Sequence, residues 1–404
     1  MENREAYVDS LYGGLDQPTR ARVDEAVEAA AAIKARGGRI VVVTGSGPNI
    51  HEGVTTLVAE LIRAGIVDGV LTSSAVVAHE MAGALDLVRR VDGGALGLPA
   101  ELLPKGGLFE VSLLEPGELD ALEGEMALDR DLVARARAAE GKAIIKAAGN
   151  MAYPMGLRTE RLALEVESLA RTAGLAFETA AGLGADPRTM IGAGAAAGVP
   201  VLVTVPQLVG GGMVGLCVGD SMPLRRRSAE VARLLGSADM IIESGIALSQ
   251  EIHDGPFETY TGHGIWSRWE GMETYSLAGR KLVRIDLDPN LEAVWRVERE
   301  GASVQATIDG GLPKTKTFKV PFRMEMSGFA RLEGSLPIVG DLGAIWPVLA
   351  LRLARKLGRS LGFLSCPQES EPGREMREWI VREVGFVDRR RMLSRLREAP
   401  PCRS

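Results

Sequence analysis

RIVVVTGSGPNIHEGVTTLVAELIRAGIVDGVLTSSAVVAHE, residues 39–80, is the stretch that decides the fold. A β-branched run, Ile40-Val41-Val42-Val43, gives way to the small residues Thr44-Gly45-Ser46-Gly47-Pro48-Asn49. Apolar residues at helical spacing follow (Leu57, Val58, Leu61, Ile62), then a second apolar run, Val67 to Leu71, which ends in Thr72-Ser73-Ser74. Strand, small-residue loop, helix, strand and loop within about forty residues make one βαβ unit. In a parallel sheet both loops lie at the carboxyl ends of strands, where open α/β folds place their ligands. A loop nearly free of side chains lets backbone N–H groups approach a phosphate, so the pattern points to a nucleotide-binding enzyme.

The loop is not a dinucleotide fingerprint. Gly45-Ser46-Gly47-Pro48-Asn49-Ile50 has G-x-G without the third glycine, and Pro48 removes a donor. No phosphate-binding G-x-x-x-x-G-K-[ST] occurs either. Plain βα turn geometry would explain the same residues.

Outward from this unit, the 404 residues leave room for two or three domains. A hydrophobic share of 46% against 25% charged describes a chain able to bury a sizeable core, and 49 glycines suit many βα turns. Aromatic residues are only 4%, and the net charge is −6, which argues against nucleic acid as a partner. Cys217, Cys366 and Cys402 have neither metal-site nor disulfide spacing, so a reducing cytoplasm is expected. The first residues contain no apolar segment of a signal peptide. Residues 190–219 carry no charge, but Pro200, Pro206 and Gly210-Gly211-Gly212 break them, favouring two short buried strands, Val201–Val205 and Val214–Val218, over a membrane span.

The expected organisation is an N-terminal helix (1–37), an α/β nucleotide-binding domain (38–313) with an insertion of one helix at about 85–140, and a mainly helical C-terminal segment (314–404). Further strands are expected at Ala143–Lys146, Asp239–Glu243 and Lys281–Asp288, with helices near 159–173, 225–235, 345–357 and 374–396. Arg225-Arg226-Arg227 reads as a solvated basic face or a phosphate clamp.

Three constellations carry chemistry. Asp286 and Asp288 end a strand, where a carboxylate accepts both ribose hydroxyls; a helix cap by Asp288-Pro289 is the bland alternative. Of four histidines, three precede an acid: His51-Glu52, His79-Glu80 and His253-Asp254. Such pairs could transfer protons or hold a metal if they converged on one cleft, or simply cap helices. The third runs from Ser249 to Trp269. Glu251, Asp254 and Glu258 stand there near Trp266 and Trp269, and Glu243 ends the strand before it. Acids beside a Trp face suit a cationic amine, although an ordinary surface loop would share that composition.

At these residues the chain resembles two related families with the deoxyhypusine-synthase-like NAD-binding fold. Gly47-Pro48 to Glu80, with Val283-Arg284-Ile285-Asp286 and residues 300–310, is similar to the conserved domain of the lysine-oxoglutarate reductase/saccharopine dehydrogenase type, which includes archaeal-type ornithine cyclodeaminases. Ser46-Gly47-Pro48-Asn49, Thr72-Ser73-Ser74, Gly149-Asn150-Met151 and Gln250-Glu251 through Gly255 resemble deoxyhypusine synthase. The resemblance implies an α/β fold with a mostly parallel Rossmann-like sheet and NAD as cofactor. It places NAD against Thr44, Gly45, Ser46, Asn49, Thr72, Ser73, Ser74, Gly149 and Asn150, and the substrate end at Glu251 and Asp254. Trp269 is followed by Glu270-Gly271, with no lysine between Lys146 and Lys281, so the lysine of the transferase is missing.

The expected chemistry is transient oxidation of a C–N bond in an amino acid or polyamine, with His79 or His253 as base and Glu251 and Asp254 holding the amine. An aminoalkyl transferase, a metal-dependent hydrolase or lyase, and a non-catalytic nucleotide sensor are the alternatives. A cytoplasmic homo-oligomer with no resident metal and no nucleic-acid or membrane partner completes the expectation.

Overall fold

A computed structural model describes residues 2–45, 47–104, 106–149, 155–204, 209–245, 275–299, 306–307, 309–312, 317, 319 and 332–398. The chain opens with α1 (Glu2–Gly14), α2 (Gln17–Ala35), β1 (Ile40–Thr44), α3 (Pro48–His51), α4 (Val54–Arg63), β2 (Gly69–Thr72) and α5 (Ser74–Met81). Then come β3 (Leu85–Asp92), β4 (Leu108–Ser112), α6 (Pro116–Glu125), α7 (Arg130–Ala138), β5 (Lys142–Ala147), α8 (Met155–Ala173), α9 (Phe177–Gly184) and α10 (Met190–Ala197). β6 (Val201–Val203), α11 (Met213–Ser221), α12 (Leu224–Gly236), β7 (Met240–Ser244), β8 (Lys281–Asp286) and α13 (Asn290–Arg299) follow. The last described elements are β9 (Ser335–Val339), α14 (Leu342–Lys356), α15 (Glu371–Glu383) and α16 (Arg389–Glu398).

Six strands form one sheet in the order β6-β2-β1-β7-β8-β9, and every pairing is parallel. Counted among themselves along the chain, they stand 3-2-1-4-5-6, the doubly wound Rossmann order, which reverses between β1 and β7. Alternation sends Ile40, Val42, Met240 and Ile242 to one face, with α2, α4 and α14. Val41, Val43 and Ile241 go to the other, with α12. Both faces are therefore covered, which is why these strands are continuous apolar runs.

The expected α/β class with a parallel Rossmann-like sheet stands, and several local expectations need correction. Residues 213–221 are a helix, not a strand: Val214, Cys217, Val218 and Ser221 are buried at helical spacing while Leu216 is 54% exposed. A short apolar run does not distinguish the two by composition. The insertion holds two helices, α6 and α7, and a separate antiparallel sheet, β4-β3-β5, which residues 142–147 complete. Charges at Arg89, Arg90 and Asp92 mask the alternation of β3 in sequence. The main sheet also crosses the boundary expected at residue 313, because β9 pairs with β8 from Leu282↔Ser335 to Asp286↔Val339. The C-terminal helix expected at 374–396 is two, α15 and α16. Among the described residues no helix is long and apolar enough to cross a membrane.

Candidate functional site

The sheet reverses at the carboxyl ends of β1 and β7, where Thr44 and Ser244 are register partners. A buried chain of hydrogen bonds ties the following segment to this point. Trp346 Nε1, from α14, donates to Ser244 Oγ at 2.8 Å, and the Ser244 hydroxyl donates to Asn49 Oδ1. Asn49 Nδ2 donates to the Ser244 carbonyl at 3.4 Å. Asn49 therefore fixes α3 against the strand end, so the Thr44-Gly45 turn is set by the sheet as well as by its own glycines.

Thr44 and Thr72 are fully buried, and neither Oγ1 has a hydrogen-bond partner among the described residues. They end the neighbouring strands β1 and β2 on the face that carries Ile40, Val42 and Val70. A buried hydroxyl left unpaired is destabilising, so two at one ligand-binding edge need an explanation. Next along the chain, Ser73 caps α5 by accepting from Val76 N. Ser74 Oγ accepts from Gly211 N at 3.0 Å and pins the 209–211 turn beside α5. Gly211 must be glycine there, because a Cβ would stand 2.6 Å from the Ser74 carbonyl oxygen.

Asp286 ends β8, and its Oδ1 accepts from Asp288 N at 2.8 Å. Its Oδ2 lies 3.7 Å from where a Cβ on Gly245 would project, so this carboxylate borders the same edge. Asp288 accepts from Asn290 N at 2.9 Å, the capping role, which leaves Asp286 as the ribose candidate.

Glu243 has a different role from the substrate contact expected of it. It faces Arg284 across β7 and β8, and the two form an ion pair with side chains 2% and 1% exposed. Glu243 Oε1 has no hydrogen-bond partner among the described residues. Burial raises its pKa, while the Arg284 charge opposes that rise. Arg227 is likewise buried and structural, not a solvated face or a phosphate clamp. It holds Glu178 at 2.5 Å and the carbonyls of Val203 and Val218 at 3.1 Å, whereas Arg225 and Arg226 are exposed.

The paired histidines separate from their acids. Glu80 accepts from Met190 N at 2.8 Å and Ile191 N at 3.0 Å at the start of α10, and burial pushes its pKa up to about 7. Glu52 accepts from Gln368 N and Nε2, both at 2.8 Å, and burial likewise raises it to about 7. Burial lowers both histidine pKa values, and the charges of Arg377 and His79 depress that of His51 further. His79 Nδ1 meets the Ala148 carbonyl, which can only accept, so Nδ1 carries the proton and Nε2 keeps a lone pair. Gly149, at φ +100°, lets the chain pass this ring. Thus Thr44, Gly45, Asn49, Thr72, Ser73, Ser74 and Asp286 border one sheet edge, whereas His79 and Gly149 form a second group with His51. Among the described residues no three His, Cys, Asp or Glu side chains are placed to hold a metal.

Ser46, Asn150, Glu251, His253, Asp254, Glu258, Trp266 and Trp269 lie outside the described residues. Ser244, Trp346 and Arg284 were not anticipated at the site. Arg284 had a readable signal, a lone base in a buried strand (Leu282-Val283-Arg284-Ile285) answering the lone acid of Ile241-Ile242-Glu243. Trp346 had none, being about 100 residues away from its partner.

No protein family and no curated protein matches the chain. Among solved structures it is similar to AgrE in its ternary complex with ornithine and NAD+, at 16% identity over 84% of this chain and 34% of that one, with a TM-score of 0.42. It is also similar to ArgZ, an arginine dihydrolase from the ornithine–ammonia cycle in cyanobacteria, at 15% identity over 84% and 32% of the two chains, TM-score 0.39. A third is a LOR/SDH protein from Methanococcus maripaludis S2, at 11% identity over 84% and 69%, TM-score 0.38. The chain spans about a third of the length of AgrE and ArgZ.

Proposed function

We propose that this chain binds NAD at the β1–β7 reversal and uses it to oxidise, transiently, a C–N bond of an amino acid or polyamine. The observation that carries the reading is the pair of buried, unpartnered hydroxyls, Thr44 and Thr72, at the carboxyl edge of a 3-2-1-4-5-6 sheet. A polar ligand seated there would satisfy both. Gly45 offers backbone without a side chain beside them, and Asp286, one strand beyond β7, has the charge to accept ribose hydroxyls.

The cofactor would supply a hydride acceptor; the chain's own residues bind, orient and move protons. Burial lowers the His79 pKa against the Ala148 hydrogen bond, which raises it, and that bond fixes the tautomer that leaves Nε2 with its lone pair, the state a base needs to deprotonate an amine. Glu251, Asp254 and Glu258 would hold the amine beside Trp266 and Trp269, with His253 as the second candidate base. Acids suit that task because a cation is bound best where carboxylates and an aromatic face coincide. The substrate imine would be attacked by water or by a second amine of the same substrate, ammonia would leave from the resulting adduct, and return of the hydride would complete the cyclodeaminase-like outcome.

Thr44→Val and Thr72→Val test this. Each replaces an unpaired hydroxyl by a methyl of the same shape, so stability should hold or rise by about 1 kcal/mol while NAD+ affinity falls. Calorimetric titration of NAD+ into wild type and both variants is the measurement. Absence of NAD+ binding to wild type, or unchanged affinity in both variants, overturns the assignment, and turnover of an amine separates the enzyme from a nucleotide sensor.

A further inference from the structure

Of the four sheet edges among the described residues, three are defended against further pairing. At β6 the outward N–H of Val203 donates to Glu178 at 2.6 Å, and its carbonyl accepts from Arg227 at 3.1 Å. At β9 Pro337 has no N–H to offer, and the carbonyls of Ser335 and Val339 accept from Trp295 Nε1 at 3.2 Å and Thr19 Oγ1 at 3.4 Å. At β5 Arg377 occupies the Ile145 carbonyl, and Lys142 adds an exposed charge. Side-chain caps, proline and lysine are the usual protections of an edge against another chain.

The fourth edge, β4, has none of these. Leu113 N donates to the Leu87 carbonyl and Gly93 N to the Gly107 carbonyl, each at 2.8 Å, so Gly107, Phe109, Val111 and Leu113 face β3. By alternation Leu108, Glu110 and Ser112 turn their backbone groups outward. Ser112 is only 1% exposed, which leaves Leu108 and Glu110 within reach, and no hydrogen bond meets their outward backbone groups among the described residues. The Glu110 charge does not guard the edge, because Arg90 at 3.1 Å and Lys146 at 2.7 Å hold it within its own sheet. The surroundings are apolar. Leu108 is 41% and Leu157 38% exposed, and a cavity of about 270 Å³ beside β4 is lined by Phe109, Leu128, Leu132 and Leu157 among others.

We propose that β4 is the contact between two copies of this chain, paired antiparallel about a two-fold axis at Phe109. Leu108 then lies opposite the partner's Glu110 in a hydrogen-bonded pair, the axis repeats that pair, and every outward N–H and C=O of both residues finds a partner. Phe109 falls opposite the partner's Phe109, which brings the apolar surfaces beside the two cavities together. A second copy fits this edge better than a flexible peptide. So few backbone bonds return little against the conformational entropy of ordering a loose strand, whereas a copy presents β4 already formed and adds its own apolar surface. The two antiparallel sheets become one continuous sheet, and its β5 ends lead to the Ala148 carbonyl that holds His79.

Sedimentation equilibrium of the full chain tests this. Wild type should dimerise reversibly below about 100 μM. Leu108→Lys puts a charge on the edge, and Leu108→Pro removes an outward N–H that the monomer's own sheet does not use. Each should weaken the dimer by roughly tenfold or more, with thermal melting to confirm that the variants fold. Phe109→Cys, which the pairing sets opposite itself at a Cα separation of about 4.5 Å, should cross-link through a disulfide on oxidation, located by peptide mass mapping. A wild-type monomer throughout that concentration range overturns the proposal and leaves the edge to a different chain. A dimer of unchanged affinity in folded Leu108→Lys and Leu108→Pro proteins, or a folded and dimeric Phe109→Cys protein that does not cross-link, also overturns it, since the contact then lies on another face.

Discussion

Breaking the Glu243–Arg284 pair is the sharpest perturbation the fold offers. The two side chains are 2% and 1% exposed, so neither charge can turn to water when its partner is removed. Glu243→Gln removes the buried carboxylate that Arg284 holds across the two strands and should destabilise the protein by about 3–5 kcal/mol. Arg284→Met leaves a lone buried carboxylate whose pKa rises further, because its compensating charge is gone and burial already pushes it up. The folded state then binds a proton more tightly than the unfolded state, so stability is retained at low pH and lost as pH rises through the folded pKa. Arg284→Met should therefore be less damaging at pH 5 than at pH 8, whereas Glu243→Gln should not show that rescue. The double variant Glu243→Met/Arg284→Met should recover to within about 2 kcal/mol of wild type, since apolar replacement of a buried pair is often neutral. Urea unfolding of the four proteins at both pH values gives the double-mutant cycle. Single variants that each lose less than about 1 kcal/mol, with no pH dependence for Arg284→Met, would refute the claim that the pair is buried and mutually dependent.

Other outcomes follow from the same geometry. NAD+ should bind more tightly than NADP+, because Asp286 would repel a 2′-phosphate, and Asp286→Asn should weaken NAD+ roughly tenfold in calorimetry. Glu52→Gln should gain on wild type by up to about 3 kcal/mol as pH rises from 4.5 to 7, because over that range the unfolded chain gives up a proton that burial makes folded Glu52 retain; urea unfolding against pH reads it. Gln368 can flip its amide to suit the new side chain, so the change isolates the charge. Gly343→Ala should lower the melting temperature sharply, because its Cβ would fall 2.3 Å from Glu52 Oε2 and 2.8 Å from the Pro367 backbone. Borohydride treatment during turnover should leave the protein mass unchanged, as Trp269 is followed directly by Glu270-Gly271 and not by a lysine.

The first βαβ unit was legible because three local signals agree there: β-branched runs, a small-residue loop and helical spacing between them. The same logic misread residues 213–221. Val214-Gly215-Leu216-Cys217-Val218 is apolar at nearly every position, so periodicity is lost and only burial reveals the helix. The antiparallel sheet was obscured for the opposite reason, since β3 carries charges at Arg90 and Asp92 on its exposed positions and pairs with segments 16–24 and 52–62 residues away. The histidine pairs show a further limit. Each sequence neighbour points its own way, so Glu80 ends on α10 and Glu52 on Gln368, while His79 meets the Ala148 carbonyl and His51 meets Arg377.

By itself the sequence determined that Ile40–Val43 and Val67–Leu71 belong to a buried parallel sheet, because such runs are apolar on both faces and only a doubly covered sheet accommodates that. It also determined that small residues, Thr44-Gly45 and Thr72-Ser73-Ser74, stand where those strands end. Only the tertiary structure decided the strand order, hence the reversal between β1 and β7, since order depends on which edges pair after the helices have packed. Only it revealed that the Thr44 and Thr72 hydroxyls lack partners among the described residues, and that Trp346 reaches Ser244 from 102 residues away. Such facts are long-range: a hydroxyl is satisfied or orphaned, and a charge compensated or not, according to what folding brings beside it.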